Sequence, residues 1–168
     1  MPSKVYSAAV VGVDAFEIEI EVHAGWGPEG RVAVVGLPDT AVKESRDRVL
    51  SALSNSALRR PRGRITINLA PATVRKEGPS FDLPIALAML QLNEQNRIPE
   101  LDHCYVCGEL ALSGELRPPD VRINPERGRT SRQPGGHKLL MIGYRSHELD
   151  LSPIGAMTKQ VLSLIRYL

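Results

Sequence analysis

The stretch FEIEIEVH, residues 16–23, alternates apolar and polar side chains without interruption. Successive side chains of a strand point to opposite faces, so this period of two predicts a strand with one buried and one solvated face. The preceding run KVYSAAVVG, residues 4–12, is rich in small and β-branched residues and predicts a second strand. A turn at Gly12-Val-Asp14 would join the two strands as a hairpin.

Working outward from this hairpin, the chain alternates between strand and helix patterns. Residues 31–37 predict a third, more buried strand, and residues 65–69 predict a fourth. A helix capped by Asp39 or Thr40 should end near residues 55–56, with its apolar side chains on one stripe.

The second half of this region predicts a buried helix and another hairpin. The helix covers residues 80–92, with Asp82 in its first turn. Residues 103–108 and 111–114 predict paired strands around Gly108 and Glu109. Strands and two main helices in mixed order predict an α+β (α/β mixed) domain with a mixed sheet.

The composition indicates how many domains the chain forms and where it is expected to be located. The chain has 168 residues, 42% of them hydrophobic and only 4% aromatic, which suits one domain with a core of aliphatic side chains. We expect no membrane partner, because no apolar run is long enough to span a bilayer. The start lacks a signal peptide, so a cytoplasmic location with reduced thiols is expected.

The charge distribution changes along the chain. Residues 1–118 carry 13 Lys/Arg and 15 Asp/Glu, whereas residues 119–168 carry 8 and 4. This change predicts a domain at residues 1–118 and a divergent basic tail at residues 119–168. Within the tail we expect loop or disorder over residues 119–136, a short strand over 139–144 and an amphipathic terminal helix over 153–168.

Cys104 and Cys107 form a C-x-x-C pair, a spacing found in redox motifs and in half of a zinc site. A zinc site needs two further ligands, and neither His103 nor His137 lies in a second paired motif. We favour two core or strand thiols and expect no metal.

Gly78-Pro79-Ser80 opens the second predicted helix. The simpler interpretation of Ser80 is an N-cap, in which its hydroxyl accepts a backbone N–H. The alternative is a nucleophile or an anion site near the positive helix end. A nucleophile needs a base, and the first lysine after Ser80 is Lys138, in the basic tail.

Basic side chains cluster in two successive loops and predict a nucleic-acid-binding surface. The residues are Arg59, Arg60, Arg62, Arg64, Arg75 and Lys76. The alternatives are a solvated basic face or contacts to a neighbouring subunit. No aromatic residue is interleaved, so the pattern predicts no base-stacking platform.

The sequence contains no G-x-x-x-x-G-K-[ST] motif, so it lacks the phosphate cradle and the lysine of a P-loop. We therefore expect no cofactor in this chain and no ATP hydrolysis by it.

Four runs in fixed order carry a family resemblance. They are VGLPD (35–39) followed by Val42 and ESR (44–46); INLAPA (67–72); RKEG (75–78) with FDLPIA (81–86); and GEL (108–110) with LSGELRP (112–118). Together they resemble the amino-terminal, Lon-protease-like domain of the ComM/YifB family of magnesium-chelatase-like AAA+ proteins. The resemblance covers residues 1–118.

The resemblance implies a fold like the Lon proteolytic domain and the second domain of a small-subunit ribosomal protein. It also implies a longer protein whose AAA+ module uses ATP and Mg. ComM-like proteins form hexameric rings that drive DNA branch migration in natural transformation, so DNA and a homo-oligomer are the expected partners.

By the same resemblance, Gly78-Pro79-Ser80 looks like the turn that bears the Lon nucleophile. The position of the Lon lysine falls near Ile123, which cannot accept a proton, so Ser80 is expected to be vestigial and the domain non-proteolytic. Two alternatives stay open. One is a peptidase using Ser80 with Lys138 or Lys76. The other is a truncated product without function of its own, because the family pattern stops at Pro119.

Overall fold

A computed structural model describes residues 2–11, 14–56, 58–92, 98, 101–102, 104–117 and 138–141. Its elements, in chain order, are strands β1 (Ser3–Val11), β2 (Asp14–Gly25) and β3 (Val32–Val35), helix α1 (Thr40–Asn55), strand β4 (Arg64–Ala70), a 3-10 turn (Pro79–Phe81), helix α2 (Asp82–Gln91), and strands β5 (Cys104–Cys107), β6 (Glu109–Leu110), β7 (Leu116–Arg117) and β8 (Lys138–Met141).

Six strands form one mixed sheet in the order β3-β4-β2-β1-β5-β8. β1 and β2 pair antiparallel from Ser3 opposite Val22 to Val11 opposite Asp14, and β2 pairs antiparallel with β4. β3 runs parallel to β4, and β5 runs parallel to β1. The expected α+β (α/β mixed) class is confirmed, while the specific Lon-like topology remains a prediction.

The core lies on one face of this sheet. Ile18, Ile20 and Val22 of β2 are fully buried, whereas Glu17, Glu19 and Glu21, which alternate with them, are only half-buried. This confirms the strand that the period of two predicts. α2 is buried on nearly every side and α1 along one stripe, since their shared contact closes the core above the strands.

Two predicted features of the sheet are wrong. The third strand, β3, is an edge strand whose residues are half-buried or exposed, because it has a neighbour on one side only among the described strands. Residues 111–114 form a turn between β6 and β7, not a strand paired with residues 103–108. β5 pairs instead with β1 and β8.

The predicted tail strand at 139–144 overlaps β8, which pairs in parallel with β5. The turn residues Gly12 and Val13, the predicted loop at 119–136, position 123 and the helix at 153–168 lie outside the described residues. The boundary at residue 118 therefore remains a prediction. Among the described residues, no helix is long and apolar enough to cross a bilayer.

Cys107 is a free, fully buried thiol, in agreement with the expected core thiol. The side chain of Cys104 and residue His103 are outside the described part of the chain. Within that part, no three His, Cys, Asp or Glu side chains are grouped so that they would hold a metal ion.

Candidate functional site

Ser80 lies in the 3-10 turn that precedes α2, and only 5% of its surface is exposed. The residue at the N-cap of α2 is Phe81, and no side chain caps this helix. The N-cap prediction for Ser80 is therefore wrong. The extra turn starts at Pro79, so Ser80 lies inside it rather than at the boundary of α2.

Main-chain hydrogen bonds fix this turn against the β5–β6 connection. Gly108 donates its N–H to the Ser80 carbonyl at 2.9 Å, and Leu83 donates to the Gly108 carbonyl at 3.0 Å. The Ser80 hydroxyl itself makes no hydrogen bond to any residue that the structure describes. The turn is thus held by its backbone and not by its hydroxyl.

An ion pair lies directly after the serine. Asp82 is fully buried and accepts two hydrogen bonds from the Arg48 guanidinium, from Nε at 2.8 Å and from Nη2 at 3.1 Å. Leu110 donates its N–H to the same carboxylate at 3.2 Å. Hydrogen bonding to Asp82 raises the pKa of Arg48. The pair joins α1, α2 and β6 at one point.

Lys76 occupies the interior below the loop that follows β4. Its side chain is fully buried, and Nζ donates hydrogen bonds to the carbonyl oxygens of Gly36, at 2.8 Å, and of Pro71. Burial lowers the pKa of this ammonium. The assignment of Lys76 to a phosphate-binding surface is corrected, because a fully buried amine does not reach a ligand in solvent.

Asp39 connects the Lys76 loop to α1. One carboxylate oxygen accepts the Val42 N–H at 2.7 Å, as predicted for an N-cap, and the other accepts the Gly78 N–H at 3.3 Å. The Asp39 N–H also donates to the Lys76 carbonyl at 3.1 Å. Asp39 therefore positions the loop that leads to Ser80 as well as the helix start.

The structure separates the six predicted basic residues. Arg59, Arg60, Arg62 and Arg64 are exposed on the connection from α1 to β4. Arg75 follows the other end of β4, about 20 Å away along a seven-residue strand. It pairs with Glu77 at 3.0 Å. The loop arginines thus form one surface, which Arg75 does not share.

The sequence pattern does not reveal the Arg48–Asp82 pair, because Arg48 lies outside the apolar stripe predicted for its helix. Asp82 could have indicated a buried ion pair, because it is the one acidic residue in the apolar run of α2. A buried carboxylate needs a partner. The partner itself depends on how α1 packs against α2, which the sequence pattern does not specify.

The sequence of this chain matches a known protein family. The family described as "Subunit ChlI of Mg-chelatase" matches residues 18–125. YifB of Escherichia coli strain K12 is 51% identical over 115 residues, which cover 68% of this chain and 22% of YifB. The competence protein ComM of Haemophilus influenzae is 49% identical over 113 residues, covering 67% of this chain and 22% of ComM.

More distant relatives show the same coverage. An uncharacterized protein of Mycobacterium bovis is 40% identical over 115 residues, which cover 68% of this chain and 23% of that protein. The chain thus spans about a fifth of the length of these relatives. YifB and ComM are similar to the chain in this region, and the family match covers well over half of the 168 residues, so the chain belongs to the family described as "Subunit ChlI of Mg-chelatase".

Proposed function

We propose that this chain is a non-hydrolytic, DNA-contacting domain of a larger Mg-chelatase-like AAA+ protein that acts as a ring in DNA processing. The absence of hydrolytic activity is proposed from the hydrogen bonds of the Lys76 amine. It donates to the carbonyl oxygens of Gly36 and Pro71, which are main-chain groups.

A serine nucleophile needs a base within hydrogen-bonding reach of its hydroxyl. The Ser80 hydroxyl makes no such contact among the described residues. The Lys76 amine donates its hydrogen bonds to the carbonyl oxygens of Gly36 and Pro71 instead. The side chain of Lys138 and residue 123 lie outside the described residues. These facts support a structural role for the serine turn over the peptidase alternative.

The DNA-contacting part rests on the surface arginines. Arg59, Arg60, Arg62 and Arg64 are exposed, and none of them forms an ion pair with a carboxylate in the described part of the chain. Unpaired surface guanidinium groups attract phosphates and release counterions on binding. The name of the competence protein ComM agrees with a role in DNA processing, including natural transformation.

Other parts of the proposal concern the longer protein. ATP and Mg would bind an AAA+ module, since this sequence has no P-loop to hold the phosphates. Assembly into a homo-oligomeric ring and a cytoplasmic location follow from the same proposal. A truncated product without function would lack DNA affinity altogether.

Salt dependence of DNA binding tests the proposal. We expect affinity to fall steeply as salt rises, and the slope of log K against log[salt] to become shallower by about 3 when Arg59, Arg60, Arg62 and Arg64 are all replaced by Ala. The matched control replaces four other surface cations, Lys4, Lys43, Arg46 and Arg117, and should change the slope much less. Unchanged DNA affinity in the first variant would exclude this surface.

A further inference from the structure

Trp26 is the single tryptophan of the chain, and its side chain is fully exposed, at 103% of the reference surface. An indole is costly to leave in water, since burying an aromatic side chain of this size stabilises by a few kcal/mol. It lies in the turn that follows β2, and its flanking residues are glycines. No core residue covers it.

The fold brings this turn beside the arginine loop. Gly25, the last residue of β2, pairs with Arg64, the first residue of β4. Gly27 packs so closely that a Cβ there would lie 3.1 Å from the Arg64 Cβ. On the other side, a Cβ on Gly63 would lie 2.3 Å from the Gly25 carbonyl oxygen, so the two turns are in direct contact.

A further arginine comes from the third strand at this end of the sheet. The Arg31 carbonyl accepts the Ile65 N–H at 2.9 Å, because β3 starts beside the start of β4. Trp26, Arg31, Arg62 and Arg64 thus surround one end of the sheet, and we call them the Trp–Arg patch. All four are exposed.

The charges of this patch differ from those elsewhere on the domain. Three surface arginines away from this end of the sheet are paired: Arg46 with Asp47, Arg75 with Glu77 and Arg117 with Glu109. The arginines of the patch have no carboxylate partner among the described residues. Glu29, in the same turn, is a single opposing charge and pairs with none of them. The patch therefore keeps its positive charge available for a ligand.

We infer that the Trp–Arg patch binds single-stranded nucleic acid, with an unpaired base stacked on the Trp26 indole and phosphates held by the arginines. This rests on the proposed DNA contact and specifies its form. It differs from the expectation that no stacking platform exists. That expectation considered the arginine loop alone, whereas β2–β4 pairing supplies the aromatic from 38 positions earlier than Arg64.

The geometry favours an unpaired base over a duplex or a protein. A base within a duplex is stacked on both sides and does not present its face to an exposed ring, whereas a single strand does. Protein interfaces surround an aromatic anchor with apolar contacts. The residues next to Trp26 are instead glycines and arginines, and the exposed Val11 lies at the opposite end of β2.

The intrinsic fluorescence of the full chain tests this directly, because Trp26 is its single tryptophan. Titration with a thymidine oligonucleotide at low salt should quench the emission. An abasic oligonucleotide of equal length and charge should bind more weakly and leave the emission unchanged. Trp26→Ala should weaken thymidine-oligonucleotide binding about tenfold or more, measured by anisotropy of a labelled strand, while Trp26→Phe retains most of the affinity.

Other outcomes separate this inference from the proposed function. If the strand binds with an arginine-dependent salt slope but neither quenches Trp26 nor responds to Trp26→Ala, the stacking inference is wrong and DNA contact survives. A duplex that binds more tightly than the single strand, without quenching Trp26 or responding to Trp26→Ala, would also show that the stacking inference is wrong while DNA contact survives. If no oligonucleotide binds the folded chain, both the stacking inference and the proposed DNA contact fail. Melting curves of each variant confirm that the exposed turn tolerates the changes.

Discussion

Two buried charges near the serine turn are stabilised in different ways. Asp82 has a counterion, Arg48, and a backbone N–H. Lys76 has two carbonyl oxygens and no carboxylate among the described residues. The attraction of a guanidinium offsets much of the free-energy cost of burying a carboxylate. Neutral carbonyl dipoles offset less of the cost of burying an ammonium. The sequence identifies both residues as polar and does not reveal which one is paired.

Removal of Arg48 should strongly destabilise the domain. Arg48→Ala leaves the fully buried Asp82 carboxylate with the Leu110 N–H as its remaining described partner, so the free energy of unfolding should fall by about 3 kcal/mol. Arg46→Ala is the matched control on the same helix. It breaks an exposed pair with Asp47 and should change stability by less than about 0.5 kcal/mol. Urea denaturation of both variants makes the comparison, and equal effects would show that the Asp82 pair is unimportant.

Lys76 should make stability depend on alkaline pH. Its folded-state pKa is below the usual 10.5, so between these two values the unfolded chain binds more protons and stability rises with pH. We expect wild type to gain stability relative to Lys76→Met as pH approaches 10.5. The difference between the two proteins cancels the tyrosines, which titrate in both. A wild-type curve that falls relative to the variant would mean that the ammonium is stabilised by its site.

At the scale of elements, the glycines in the turns between β3 and α1 and between β2 and β3 differ in the space around them. Gly36 has a φ of +97°, and Leu37 follows with a φ of +60°, so two successive residues before Pro38 adopt left-handed backbone conformations. A Cβ on Gly36 would lie 2.0 Å from the Leu69 carbonyl oxygen. The Gly36 carbonyl oxygen also accepts a hydrogen bond from the Lys76 amine at 2.8 Å. Glycine is therefore required at this position for space as well as for φ.

Two glycine substitutions separate these effects. Gly30 has a φ of +83° and open space around it, so Gly30→Ala should cost only backbone strain, about 1 kcal/mol. Gly36→Ala adds a clash with main chain and should cost on the order of 3 kcal/mol or more. Thermal melts of the two variants test the difference. Similar losses would show that the β4 main chain moves away freely.

The sequence predicts elements well where a local pattern decides them. β2 follows from its alternation and α1 from its stripe and its Asp39 cap. The hairpin at 103–114 failed because β5 pairs with β1, about a hundred residues away, and a distant partner leaves no local signal. The Ser-Gly pair at 113–114 was the turn signal that the strand prediction overlooked. Ser80 failed as a cap because a 3-10 turn shifts the start of α2.

At the scale of the molecule, the two ends of the described sheet carry different groups of side chains. One end carries the Trp–Arg patch at the starts of β3 and β4, and the other carries Lys76 and the loop toward Ser80. The sequence predicted a single basic cluster because Arg64 and Arg75 are close in the chain. Seven residues of extended β4 separate the two loops, which is why Arg75 belongs to the second end.

A fluorophosphonate probe for activated serines tests whether the proposed serine turn at the second end of the sheet is catalytically silent. We expect the folded chain to remain unlabelled at Ser80, with a signal equal to that of Ser80→Ala, because the hydroxyl contacts no base among the described residues and is nearly buried. Labelling mapped to Ser80 by mass spectrometry, absent from Ser80→Ala and lost again in Lys76→Met, would show that Ser80 is an activated nucleophile and would assign the domain to the serine–lysine hydrolases.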